Sequence, residues 1–142
     1  MQVVNHLYPT FERLMPLAQD PDPAPVMMIN LLKFHARAQY EDGRSDDISG
    51  REAYMRYAVE MQKIIEAAGG RFVFSGTPKE LVIGEIEEPW DEIGIVEYPS
   101  RAAFHRIATS REVMAIGVHR VAGLAGQLLI ASSGQMFPTI SL

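Results

Sequence analysis

The chain has 142 residues, no cysteine and a formal net charge of −5. That length fits one domain able to bury a core without disulfide or metal staples, and the missing cysteines exclude disulfide and thiolate chemistry. Lysine and arginine are scattered rather than clustered, which argues against a nucleic-acid backbone or an anionic membrane as partner.

The first stretch, YPTFERLMPLA (8–18), reads as a short helix with Thr10 as N-cap, and Pro16 is expected to end or kink it. No signal peptide is evident in MQVVNHLYPTFERLM, and no apolar run approaches the roughly 20 residues that span a bilayer, so a cytoplasmic location is expected. QDPDPAP (19–25) is a rigid connector into a strand over 26–34. HARAQYEDGRSDDIS (35–49) then reads as a polar loop with room to move. Ser49 with Glu52 forms a capping box for a helix. Its apolar stripe is Ala53, Tyr54, Tyr57, Ala58, Met61, Ile64, Ile65 and Ala68, and Gly69-Gly70 stops it.

RFVFSG (71–76) reads as a strand that resumes as ELVIGEI (80–86), followed by a turn at EEPWDE (87–92) and a strand IGIVEY (93–98). Ser100 caps a helix buried through Ala103, Phe104 and Ile107, and Ser110 caps a further helix running to Gly123. QLLIAS (127–132) is the last strand. The order β, α, β, β, α, β predicts an α+β, ferredoxin-like sheet with its helices on one face and an extra N-terminal helix. Residues 1–24 are then a helix and Pro-rich connector, 25–132 the domain, and 133–142 a C-terminal arm.

The strand PVMMINLLKFH is apolar on both parities. Val26, Met28, Asn30, Leu32 and Phe34 face one way; Met27, Ile29, Leu31 and Lys33 face the other. Phe72 and Phe74, Leu81 and Ile83, Ile93 and Ile95, and Leu128 and Ile130 extend the pattern. The helices of one protomer can cover one face, so the expectation is a homodimer in which a second copy covers the other.

NLLKF (30–34), GREAYMRYA (50–58), GGR (69–71), Trp90-Asp91 and EYPSRAAF (97–104) resemble the domain of unknown function 1330 family, over about residues 25–132. The resemblance implies a ferredoxin-like protomer of the dimeric α/β barrel superfamily and no established activity.

Candidate site residues each carry two readings. Asn30 is either satisfied by a neighbouring strand or helix end, or turned to a ligand. Tyr54 and Tyr57 either pack in the core or line a pocket. His119 and Arg120 either complement a helix C-terminus or hold an anionic or carbonyl group. Trp90 either locks a turn or closes a pocket mouth, and Glu85, Glu87, Glu88, Asp91 and Glu92 read as a solvated acidic turn. His6, His35, His105 and His119 show no metal-binding spacing, and no nucleotide motif is present, so neither metal nor cofactor is expected. Two functions stay open. One is a small-molecule-binding protein, in its stronger form a cofactor-independent, oxygenase- or isomerase-like enzyme acting on a small apolar, oxygen-bearing compound through Asn30, Tyr54, Tyr57, Trp90, His119 and Arg120. The other is a non-catalytic dimeric structural or ligand-carrier module.

Overall fold

Short-range capping signals set most of the helix starts. In the computed structural model, which describes residues 2–134, the Thr10 side chain accepts from the Arg13 N–H and opens helix α1 (Phe11–Gln19). This helix continues through Pro16 instead of ending there. The carbonyl that loses a partner belongs to exposed Glu12, where water can serve it. Ser49 accepts from the Glu52 N–H at 3.0 Å and starts α2 (Gly50–Ala67). Ser100 and Ser110 do the same for α3 (Arg101–Ala108) and α4 (Arg111–Gly123). Gly69, at φ 93°, takes the left-handed conformation that ends α2.

Four strands, β1 (Val26–Phe34), β2 (Arg71–Gly76), β3 (Glu92–Tyr98) and β4 (Leu124–Ser132), form one sheet in the order β2-β3-β1-β4. All neighbours are antiparallel, and β3 lies between β1 and β2, the two strands that α2 connects. This is the ferredoxin-like topology. Val26 and Met28 of β1 and Tyr98 of β3 are buried against Met61 and Ile65 of α2, Phe104 and Ile107 of α3, and Val113 of α4. Leu14 and Leu17 of α1 pack on the edge of this cluster.

Four expectations need correction. Residues 80–86 form no strand: Val82 and Ile83 stand 86% and 88% exposed. A strand needs a hydrogen-bonded neighbour, and this segment has none among the described residues; Pro78 lacks an N–H, and Gly84 turns the chain at φ 101°. The last strand begins at Leu124, directly where α4 ends, and not at Gln127. The loop after β1 is tied down: Ala38 N–H donates to the Ile48 carbonyl, Gln39 N–H to that of Ala122, and Arg56 pairs with Asp46 at 2.8 Å. Ala68, assigned to the buried stripe of α2, is exposed beyond its end. Most of the C-terminal arm, residues 135–142, lies outside the described residues.

The face away from the helices carries two apolar rungs across the sheet. Phe74, Ile95, Ile29 and Ile130 stand side by side, and next to them Ile93, Leu31 and Leu128. A register shift between Phe72 and Phe74 separates these two phenylalanines. Phe72 packs on the core, whereas Phe74 lies on the open face, 54% exposed. Alternation alone had put them on one side; the bulge reverses it.

Candidate functional site

The helix-facing side of the sheet changes character along its length. One half carries Val26 beside Tyr98 and Met28 beside Val96 and Phe72, all in or against the core. The other half is polar. Its first rung is Ser75, Gly94, Asn30 and Leu129; its second is Glu92, Leu32 and Gln127. Gly94 presents no side chain, and a Cβ there would meet only the Asn30 Cβ, at 3.8 Å. Leu129, on the same rung, is 45% exposed. The missing side chain at Gly94 leaves a shallow notch beside Asn30 on the helix-facing side of the sheet.

A chain of hydrogen bonds crosses this notch. The Asn30 amide nitrogen donates to the carbonyls of Met28 and Gly94, each at 3.3 Å. Its oxygen accepts from the Gln127 amide at 2.8 Å. The Gln127 oxygen in turn accepts from Arg120 at 2.6 Å, and the same guanidinium nitrogen donates to the Leu7 carbonyl. The N-terminal segment therefore straps the open edge of β4, where His6 also bridges to Gln127. Asn30 is polar within an apolar strand because it anchors this chain.

Tyr54 stacks at 5.4 Å from Phe34 and 5.5 Å from Tyr57. Burial pushes all three hydroxyls of Tyr54, Tyr57 and Tyr98 above the ordinary tyrosine value, while the charge of Arg120 pulls weakly back on the first two. Among the described residues none of the three makes a hydrogen bond, yet no enclosed side-chain oxygen or nitrogen is left unsatisfied. The hydroxyls therefore open on space that water can enter. They stay protonated at neutral pH, so they are donors. Because the folded-state values are raised, the native protein holds these protons where the unfolded chain loses them. Stability is then fully present below about pH 10 and declines as pH rises beyond it. In a spectrophotometric titration the native protein should show at most two phenolates of its five tyrosines before it unfolds. Titration of four or five in the folded state contradicts the buried cluster.

The acidic turn divides. Glu85, Glu87 and Glu88 are exposed, whereas Asp91 and Glu92 are not. Asp91 accepts from the Phe34 N–H at 2.8 Å and donates its own N–H to Leu32, pinning the end of β1. Glu92 faces the notch and accepts from Arg51 at 3.5 Å and Ser75 at 3.1 Å.

Of the six sequence candidates, the structure brings Asn30, Tyr54, Tyr57 and Arg120 together. His119 points elsewhere: its Nδ1 lies 2.7 Å from the Tyr40 hydroxyl, over an open groove of about 700 Å³ on the outer side of α2 and α4. Burial, then the nearby Arg44 and Arg56, lowers its affinity for a proton. Trp90 is half-buried beside Asp91, at the β1 end. His35 serves through its backbone, its N–H donating to Gly123 and its carbonyl accepting from Gly50. Gln127 and Gly94 escaped the sequence reading, and Glu92, read as part of a solvated turn, is half-buried at the start of β3. An isolated glycine inside the strand IGIVEY was the available signal for a gap.

The profile of the domain of unknown function DUF1330 matches residues 43–133. A solved protein of unknown function from Rhodopseudomonas palustris is 30% identical, over 94% of this chain and 99% of its own, with a TM-score of 0.83. Its methylated form is 31% identical over 94% and 98%, with the same TM-score of 0.83. A hydroxynitrile lyase from Passiflora edulis, 12% identical over 82% of this chain and 100% of its own with a TM-score of 0.51, shares the fold alone. No curated protein matches. No helix among the described residues is long and apolar enough to cross a membrane.

Proposed function

The chain belongs to the DUF1330 family of unknown function, and from that premise we propose that it binds a small, apolar, oxygen-bearing compound in the notch between Tyr54, Tyr57 and the Gly94–Asn30 rung. The observation that carries this reading is the pair of hydroxyls, of Tyr54 and Tyr57, on water-reachable space without a described protein partner. Ligand sites combine apolar walls with a few placed polar groups, and here Phe34 and Leu129 are the walls. Tyr54, Tyr57 and Arg120 hold the ligand. Asn30 acts one step removed, by holding Gln127 against Arg120. Binding is preferred to catalysis because the tyrosines keep their protons and the Glu92 carboxylate is paired with Arg51, its Oε1 held by Arg51 and Ser75. The protein works as a homodimer joined through its open sheet face.

A second reading, a dimeric module whose polar residues serve packing only, draws on Asn30. Its amide hydrogens both go to backbone carbonyls. Native mass spectrometry decides. The purified protein is expected to retain a small molecule, and the Tyr54→Phe/Tyr57→Phe variant to lose it. Each lost hydrogen bond is worth about 0.5–1.5 kcal/mol, so affinity should fall by about tenfold or more. A retained mass unaffected by the double variant, or a folded wild type that retains nothing and binds no member of a fragment library, overturns the proposal.

A further inference from the structure

Arg120 is the one cation over the notch whose described partners are all neutral. Its two hydrogen bonds go to the Leu7 carbonyl and the Gln127 amide oxygen, both through one terminal nitrogen. No carboxylate among the described residues forms an ion pair with it, whereas Arg51, the cation at the far end, is matched by Glu92. Its ring contact is with Tyr8, at 5.8 Å. A half-buried charge without a counter-ion is costly, and the cost is relieved by an anion brought into reach. The other groups facing the space, the hydroxyls of Tyr54 and Tyr57, are donors as well. Of the acceptors, the Asn30 oxygen is taken by Gln127, and the charge of Glu92 is matched by Arg51, which with Ser75 bonds its Oε1.

We infer that the ligand of this notch is a monoanion, a small carboxylate on an apolar body, with its oxygens on Arg120 and the tyrosine hydroxyls. This rests on the binding reading above and adds its charge. One unmatched guanidinium balances one negative charge, and a dianion such as a phosphate monoester would bring a second charge that nothing in the notch meets. The second terminal nitrogen of Arg120 keeps its N–H donors for one carboxylate oxygen, and the tyrosine hydroxyls can donate to the other. The body of the molecule lies against Phe34 and Leu129.

The test uses matched pairs that differ in charge alone: benzoate with benzamide, and hexanoate with hexanamide. Each is titrated into the full chain and followed by Trp90 fluorescence and by amide shifts in two-dimensional NMR. Each acid is expected to bind at least about tenfold more tightly than its amide, the usual margin for a charge-assisted hydrogen bond. The margin should vanish in Arg120→Gln and survive in Arg120→Lys. The lysine variant also guards against a loosened N-terminal strap, since both variants give up the guanidinium bonds to Leu7 and Gln127. Equal binding of acid and amide to the wild type overturns the charge inference and leaves the notch as a site for neutral compounds. A margin that persists in Arg120→Gln overturns it too, by assigning the anion to another cation. If none of the four probes perturbs any notch residue at tens of millimolar, the inference falls together with the reading beneath it.

Discussion

Replacing Gly123 by alanine is expected to cost about 3 kcal/mol and to lower the melting temperature by about 10 °C. Gly123 is where α4 passes into β4, and the crossing is made backbone to backbone. A Cβ at this position would lie 2.9 Å from the Tyr54 nitrogen and 3.2 Å from the Tyr54 Cβ, and closer still to the Gly50 carbonyl. Gly50 answers from the other side, its own Cβ position 2.7 Å from the Gly123 carbonyl. The end of β1 closes the junction, with the His35 N–H donating to Gly123 and the Gly50 N–H to His35. Backbone atoms held by three elements cannot swing aside as a flexible side chain can, so a methyl group must push α2 off the sheet. Tyr54 would move with it, and the notch would open. Gly117→Ala is the control. It lies on the same helix with nothing within 4 Å of its Cβ position, and alanine there should be neutral or stabilising by up to about 1 kcal/mol. Thermal melts by circular dichroism settle the matter. A Gly123→Ala protein melting within about 2 °C of wild type would show that the helices yield, and the close crossing would not be what seats Tyr54.

How much of this was legible beforehand depends on the range of the interaction concerned. Helix starts are local events: Ser49, Ser100 and Ser110 each bond an N–H three residues on, and all three were readable as caps. The bounds of β1 were readable because the proline connector precedes it and the apolar run ends in polar residues. The segment 80–86 was misread because its apolar alternation outweighed Gly84, and sequence does not display the missing neighbour. Phe72 and Phe74 were placed on one face because a bulge leaves no mark on alternation. The site was half legible for a simpler reason. Successive residues on a helix point about 100° apart, so His119 and Arg120 could not both face the sheet. Arg120 turns to Gln127, and His119 to Tyr40. Gln127 itself was invisible as a functional residue until register placed it one rung from Asn30.

Ile95→Lys is expected to turn the proposed dimer into a monomer without unfolding it. Ile95 is the centre of the open face, between Phe74 on one side and Ile29 on the other, with Ile130 beyond. Ile93, Leu31 and Leu128 double the width of this apolar band. It stops at Arg71 and Glu97, which face each other on adjoining strands and form an ion pair. An apolar band with a charged border is the composition of an interface core and its rim. Each large side chain removed from water contributes roughly 1.5–3 kcal/mol when fully buried, and an isolated protomer forgoes most of this on one whole side of its sheet. Two such faces can pack at about 10 Å, the usual sheet-on-sheet spacing. A lysine in the middle would have to be desolvated against its own symmetry mate, a cost of several kcal/mol, or more than a hundredfold in dissociation constant. In the monomer the same ammonium simply enters water, so the melting curve of the separated protomer should still be cooperative. Light scattering on the wild type and the variant at matched micromolar concentration reads both masses directly. A wild type that is monomeric at about 100 μM would mean that the band is too weak to associate, since pairs of this kind otherwise hold at micromolar or below. A variant that remains dimeric would place the contact elsewhere, with the exposed Leu81–Ile83 segment next to be replaced.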